Sequence, residues 1–332
     1  TARNLAFHQL LVAMTPENVI EMRERFTELV TETDSPEWID FHYAFGAMSG
    51  REAFDIAAQD GNTKALQAVM SGWASNDPSG TLAVLDQLPP NLKDAGSALA
   101  ASLVTGMATE DLQVATDMAQ RLAARGKYYS WSISRGLAEQ VILMQGVESA
   151  AIWSESLSDD NGMKGRAMSW IANSFGKKDP QAAAAWVEKI ADQDYAAEAV
   201  EEVGEAWFRK DKAASLSWLE SLPDGKGRAA GVFMVMFRWQ ETDPKAATKY
   251  ITERPDSPNR DSAIYGFANR TSLNDPVTAI EWAESISDPA IRQKALNYAA
   301  YQYLRKNPTE ALDWLPGSGF SQEMQQELLG QR

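Results

Sequence analysis

The chain has 332 residues, no cysteine and a formal net charge of −15. The missing thiols exclude disulfides, thiolate metal sites and a cysteine nucleophile, and a surface of pI 4.7 repels phosphate backbones and anionic membrane leaflets. Hydrophobic residues at 44% and aromatic residues at 9% supply ample material for a core, which argues against disorder. No run of about eighteen apolar residues is present to span a membrane.

In chain order, Thr15-Pro16 predicts the start of a helix over "ENVIEMRERFTELV", and "FHYAFGAMSGREAFDIAA" (41–58) reads as a short helical hairpin. Trp73 then stands four residues before Asp77-Pro78, with Leu85 seven to eight residues beyond. Glu110-Asp111 with Met118, and Gly146 with Trp153, mark two further hairpins of similar length. From there the pattern becomes strict. Asp179-Pro180, Asp211-Lys212, Asp243-Pro244, Asp275-Pro276 and Asn307-Pro308 follow at a constant 32 residues. Seven residues after each step comes a large aromatic: Trp186, Trp218, Tyr250, Trp282, Trp314. Four residues before each step sits Phe175, Trp207, Trp239, Thr271 or Tyr303. A fixed period of this length is the signature of a repeat architecture.

Each mark has a physical meaning. An Asp followed by Pro starts a helix, because the carboxylate accepts from free N–H groups and Pro suits the first turn. The aromatic with its small neighbours, as in Ala182, Ala183, Trp186 and Val187, makes one helical stripe. The clusters "LPDGKGR" (222–228), "RPDSPNR" (254–260) and "ISDPAIR" (286–292) predict turns, each followed by a helix whose apolar residues again share a face. Arg166, Arg228, Arg260 and Arg292 recur just before that helix, placed to pair with carboxylates or helix-end carbonyls. The expectation is one all-α domain over 1–332, an α-solenoid of about nine antiparallel hairpins with a period of about 32 residues. Residues 1–60 form atypical N-terminal hairpins, 61–320 regular repeats, and 321–332 a polar capping helix.

The Ala-rich hairpin with a fixed aromatic resembles tetratricopeptide-type solenoids, although the Asp-Pro step with Trp seven residues later replaces their usual motif order. It is more similar to the Trp/Asp-Pro helical-repeat proteins of unknown function from environmental bacteria, over roughly residues 60–320. That resemblance implies a right-handed superhelix and a place in the cell envelope, periplasm or extracellular space rather than the cytoplasm, and it lends no catalytic residues. Because it begins at Thr1 without an initiator Met, the chain is expected to be a processed or trimmed product.

Sequence signs of chemistry are sparse. His8 and His42 match no metal-ligand spacing, and no nucleophile elbow, phosphate loop or dinucleotide fingerprint occurs. "SDDNG" (158–162) has the wrong ligand alternation for a calcium loop. Glu201-Glu202 and Asp192/Asp194 are carboxylate pairs of the kind that 46 acidic residues make inevitable. No catalytic residue, metal or cofactor is expected. Periodic Trp residues belong to the core, so the off-register aromatics are the candidate partner-binding residues: Tyr128, Tyr129 and Trp131 together in "KYYSWS", then Tyr265, Tyr298 and Tyr301. The expected function is a non-catalytic scaffold that holds a protein or a basic or neutral peptide along a groove. A cell-surface glycan-binding module and a self-assembling structural protein are the alternatives, with an enzyme fourth.

Overall fold

The computed structural model describes residues 2–30, 32–33, 35–158 and 162–330, with the backbone alone for 2–4. The fold is all-α: among the described residues there are twenty α-helices, four short 3₁₀ segments and no strand. Contacts divide the chain into two compact units, Thr1–Ile171 and Ala172–Arg332, each described on its own.

The first unit contains α1 (Ala2–Ala13), α2 (Val19–Leu29), α3 (Pro36–Asp60), α4 (Thr63–Asn76), α5 (Pro78–Asp86), α6 (Gly96–Ala108), α7 (Leu112–Ala123), α8 (Lys127–Gln145), α9 (Val147–Glu155) and the start of α10 (Met163–Lys178). The helix expected to open at Thr15-Pro16 begins instead at Val19; the Asn18 side chain accepts from Thr15 N at 2.8 Å and holds residues 16–18 in a turn. The short hairpin expected over 41–58 lies within α3, which is broken at Gly50 (φ 52, ψ −118), a conformation only glycine adopts without strain. Ser35, Asn62, Asp77 and Asp111 cap the helices that follow them, whereas Gly146 offers α9 no side-chain cap. Helix α4 lies between α3 and α6, and α6 between α4 and α8, while α5, α7 and α9 pack beside them. The close approach of α3 and α4 is reciprocal. A Cβ on Gly46 would meet Val69 O at 2.1 Å, and one on Gly72 would meet Tyr43 O at 1.9 Å. Phe26 of α2 stacks on Phe41 of α3 at 4.2 Å and ties the N-terminal helices to this stack.

The second unit holds the end of α10 together with α11 (Pro180–Val187), α12 (Ala197–Lys210), α13 (Lys212–Ser221), α14 (Lys226–Thr242), α15 (Pro244–Thr252), α16 (Pro258–Ser272), α17 (Pro276–Glu284), α18 (Pro289–Lys306), α19 (Pro308–Trp314) and α20 (Gln322–Gly330). Helices α12, α14, α16 and α18 pack each on the next, with α13, α15 and α17 beside successive pairs. Asp179, Asp211, Asp243 and Asp275 each accept from the N–H three residues on, at 3.0–3.1 Å. Each such cap contributes about 1 kcal/mol. The fifth step differs: Asn307 makes no side-chain cap and donates instead to Glu310 Oε2 at 3.2 Å.

The two aromatic registers meet as ring pairs. Phe175–Trp186, Trp207–Trp218, Trp239–Tyr250 and Tyr303–Trp314 have centroids 5.5–6.2 Å apart. Where Thr271 interrupts the series, Phe267 one turn earlier supplies the ring for Trp282 at 4.9 Å. Tilted pairs of this kind add about 1 kcal/mol beyond the area they bury. The recurrent arginines lie inside the first turn of the following helix rather than before it. Arg228 donates to Leu222 O at 2.8 Å, Arg260 to Ile251 O at 3.3 Å and Arg292 to Ile286 O at 3.0 Å, satisfying carbonyls left free at the end of the preceding helix. Helix α20 joins the core of the last pair through buried Leu328, which clusters with Leu304 and Leu315, and Phe320 and Met324 pack against that cluster.

Candidate binding surface

Helix α8 shows how local sequence builds a surface. Trp131, Arg135 and Glu139 follow at four-residue spacing, which puts all three on one helical face. The opposite face, with Ile133, Ser134, Leu137 and Val141, is buried. Arg135 Nε donates to Glu139 Oε1 at 3.0 Å, and its guanidinium lies 4.7 Å from the Trp170 ring of α10 and 5.8 Å from the Trp131 ring. The two indoles meet edge to face at 6.4 Å. Held on that side, Trp131 still leaves 46% of its surface open.

The open side of Trp131 borders a groove of about 350 Å³ across α4, α6 and α8. Its floor is small: Ala98, Ala101 and Gly136. A Cβ on Gly136 would sit 3.4 Å from Ala101 Cβ and Thr105 Cγ2, so the helices are in ordinary contact there and the floor is shallow. Gln67, Ser102, Thr105 and Ser132 line the walls. Ser102 donates its proton to Ala98 O at 3.2 Å and Thr105 to Ser102 O at 3.0 Å, while Ser132 donates to Ser97 Oγ at 3.3 Å. These hydroxyls therefore offer lone pairs to the groove more than protons.

The residues of "KYYSWS" occupy the first turn of α8 and diverge. Tyr128 is 80% exposed. Tyr129 directs its hydroxyl to the start of α6, 2.7 Å from where a Gly96 Cβ would stand, and Trp131 enters the groove. In the second unit, Tyr265 packs on Phe233 at 4.8 Å. Tyr298 is half-buried on α18. Tyr301 is partly buried against the C-terminal core cluster, with the Arg305 guanidinium 5.9 Å from its ring. The structure thus brings Trp131 together with two residues that sequence reasoning missed, Arg135 and Trp170. The four-residue spacing was the available signal for Arg135. Trp170, on another helix and outside the two aromatic registers, had none.

The second unit carries a band of partly buried charged side chains across α10, α12, α14 and α16. Glu205 binds Arg209 at 2.6 Å and Arg238 at 2.7 Å, and Glu241 binds Arg270 at 2.8 Å. Glu202 accepts from Asn173 Nδ2 at 2.5 Å. Burial, reinforced by Glu202, Glu198 and Glu205, pushes Glu201 up to about 7; burial also raises Glu202. Both carboxyls move the same way, whereas an acid–base pair needs two that move apart. Asp192 and Asp194 are exposed, and Asp194 is bound by Lys226. His8 is exposed on α1, while His42 is fully buried and pushed down to about 4 by that burial. Asp159, Asp160 and Asn161 of the calcium-like segment lie outside the described residues. Among the described residues no group of three or more His, Cys, Asp or Glu converges on a metal site, and no helix is long and apolar enough to cross a membrane.

No protein-family model matches this chain, and no curated protein or solved structure does either.

Proposed function

We propose that the protein is a non-catalytic interaction scaffold of the cell envelope, an α-solenoid of helical hairpins that holds an extended protein segment along a concave groove. The repeated Asp caps, the ring pairs and the period of 32 residues support the solenoid reading. One observation carries the binding reading: the groove across α4, α6 and α8, open to solvent and ending at an indole fixed by Arg135 and Trp170. A large aromatic held in place gives contact area with little rotamer entropy left to lose, and that favours recognition. A second reading, a glycan-binding module, draws on the same exposed Trp131 beside neutral polar groups.

A photo-crosslinking residue placed at Ser102 in the groove, with one at exposed Val277 as control, tests the proposal in cells of the source. Protein adducts at 102 and none at 277 support the scaffold. Carbohydrate adducts at 102 transfer the proposal to the glycan reading, and equal labelling at both positions rejects the groove as a binding surface.

A further inference from the structure

The chain's charge of −15 suggests a cationic partner, and the groove argues otherwise. Its two charged walls, Arg135 and Glu139, are half-exposed and paired at 3.0 Å, so the groove carries no net charge, and the guanidinium lies against two indoles. The rest of the lining is uncharged: the Gln67 amide, three hydroxyls whose protons are already directed elsewhere, an apolar floor and the open face of Trp131. Seating an ammonium on the Ala98–Ala101–Gly136 floor removes its water, and the compensated Glu139 returns little of that cost. An anion fares worse, because the hydroxyls present lone pairs and the charge of Arg135 is balanced by Glu139. The unmet need of the site is for donors without charge.

Resting on the scaffold reading, we infer that the α4–α6–α8 groove selects an extended, uncharged peptide segment. Its backbone N–H groups meet the hydroxyls of Ser102, Thr105 and Ser132, small side chains cross the Ala98–Ala101–Gly136 floor, and an apolar or aromatic side chain lies on Trp131. Main-chain donors paired with fixed acceptors, and pockets for particular side chains, are the general means by which extended peptides are read. The small floor matters because a bulky side chain there would hold the main chain away from the acceptors. Local neutrality also predicts that affinity is set by contact rather than by the field of the whole chain.

The test is selection of a random-peptide phage library on the full chain, followed by calorimetric titration of the enriched synthetic peptide into the chain at low and high salt. The expected consensus is one apolar or aromatic residue flanked by Gly, Ala or Ser, free of Lys and Arg. Its affinity should change by less than about twofold between about 0.05 and 0.5 M salt. Trp131→Ala should weaken it at least about tenfold while helix content by circular dichroism stays unchanged. Arg135→Met keeps the packing of the stem but leaves Glu139 unpaired, and should shift the selected consensus toward Lys and Arg. A Lys/Arg-rich consensus on the parent chain, with affinity falling about tenfold or more over the same salt range, overturns the inference and leaves the scaffold reading standing. Failure of any peptide to enrich overturns the inference, and binding heats with soluble oligosaccharides in place of peptides overturn the scaffold reading as well.

Discussion

The carboxylate of Asp261, in the first turn of α16, accepts the backbone N–H of Asp288 at 2.8 Å, across the turn that leads into α18. Its other oxygen accepts from Ser287 N at 2.9 Å. Asp288 is itself the cap of α18, accepting from Ala290 N at 2.8 Å and Ile291 N at 2.9 Å. One buried carboxylate therefore fixes the residue that starts the next helix. Asp261→Asn presents an NH₂ to one of the two donors. With charge-assisted bonds contributing about 1.5–3 kcal/mol and an orphaned buried donor adding its own cost, the change should destabilise the second unit by about 2–3 kcal/mol. Hydrogen exchange checks it, since protection of the Ser287 and Asp288 amides should fall most.

This relay shows where sequence reading stopped. The Asp caps and both aromatic registers were legible because each is local or tied to a fixed period: Asp211 marks α13 by its position alone, and Trp218 by its distance from that cap. Asp261 is one acidic residue among 46, and only the fold brings it to Ser287. Arg135 was legible from its spacing to Trp131, whereas Trp170 reaches the same cluster from another helix. The divergence of Tyr128, Tyr129 and Trp131 follows from helical geometry, which separates adjacent residues by about 100° however close they stand in the chain.

Helices α14 and α16 approach through Gly266. A Cβ there would stand 2.1 Å from Phe233 O, a main-chain atom that cannot rotate away. Gly266→Ala should therefore force the two helices apart and cost about 1–3 kcal/mol, as overpacking of a close contact does. Gly225→Ala is the control: a Cβ at Gly225 meets nothing within 4 Å, and stability should change by no more than about 0.5 kcal/mol. Urea unfolding followed by far-UV circular dichroism distinguishes the two, and equal midpoints would refute the close-contact argument.

His42 makes the first unit acid-sensitive. It is fully buried, its Nδ1 donates to Trp38 O at 2.8 Å and its Nε2 has no partner. Burial, with the Arg23 guanidinium adding to it, depresses the folded value to about 4 against 6.5 in the open chain. The stabilisation is present above pH 6.5 and lost as pH falls toward 4, because only the unfolded chain takes up the proton in that interval. The loss should reach about 2–3 kcal/mol. His42→Phe, which keeps the ring against Trp38 and Phe41, should flatten the profile of α2–α3 amide protection between pH 6.5 and 4.

Glu201 imposes the opposite dependence on the second unit. Burial first, then the neighbouring Glu202, Glu198 and Glu205, raise it to about 7 from an ordinary 4.5, and Arg238 offsets only part of this. The folded state thus holds a proton that the unfolded chain releases. The associated stability is complete below pH 4.5 and disappears as pH rises through 7. Half-burial of the residue keeps the effect to about 1–2 kcal/mol after screening. Glu201→Gln is permanently neutral and should leave stability at pH 5 nearly unchanged while raising it at pH 8, relative to the parent. Denaturant unfolding of the two chains at those two pH values decides the matter. If Glu201→Gln is equally or less stable at pH 8, then Arg238 and the solvent compensate the ionised carboxylate fully, and the band of Glu202, Glu205 and Arg238 is a balanced ion-pair network without stored repulsion.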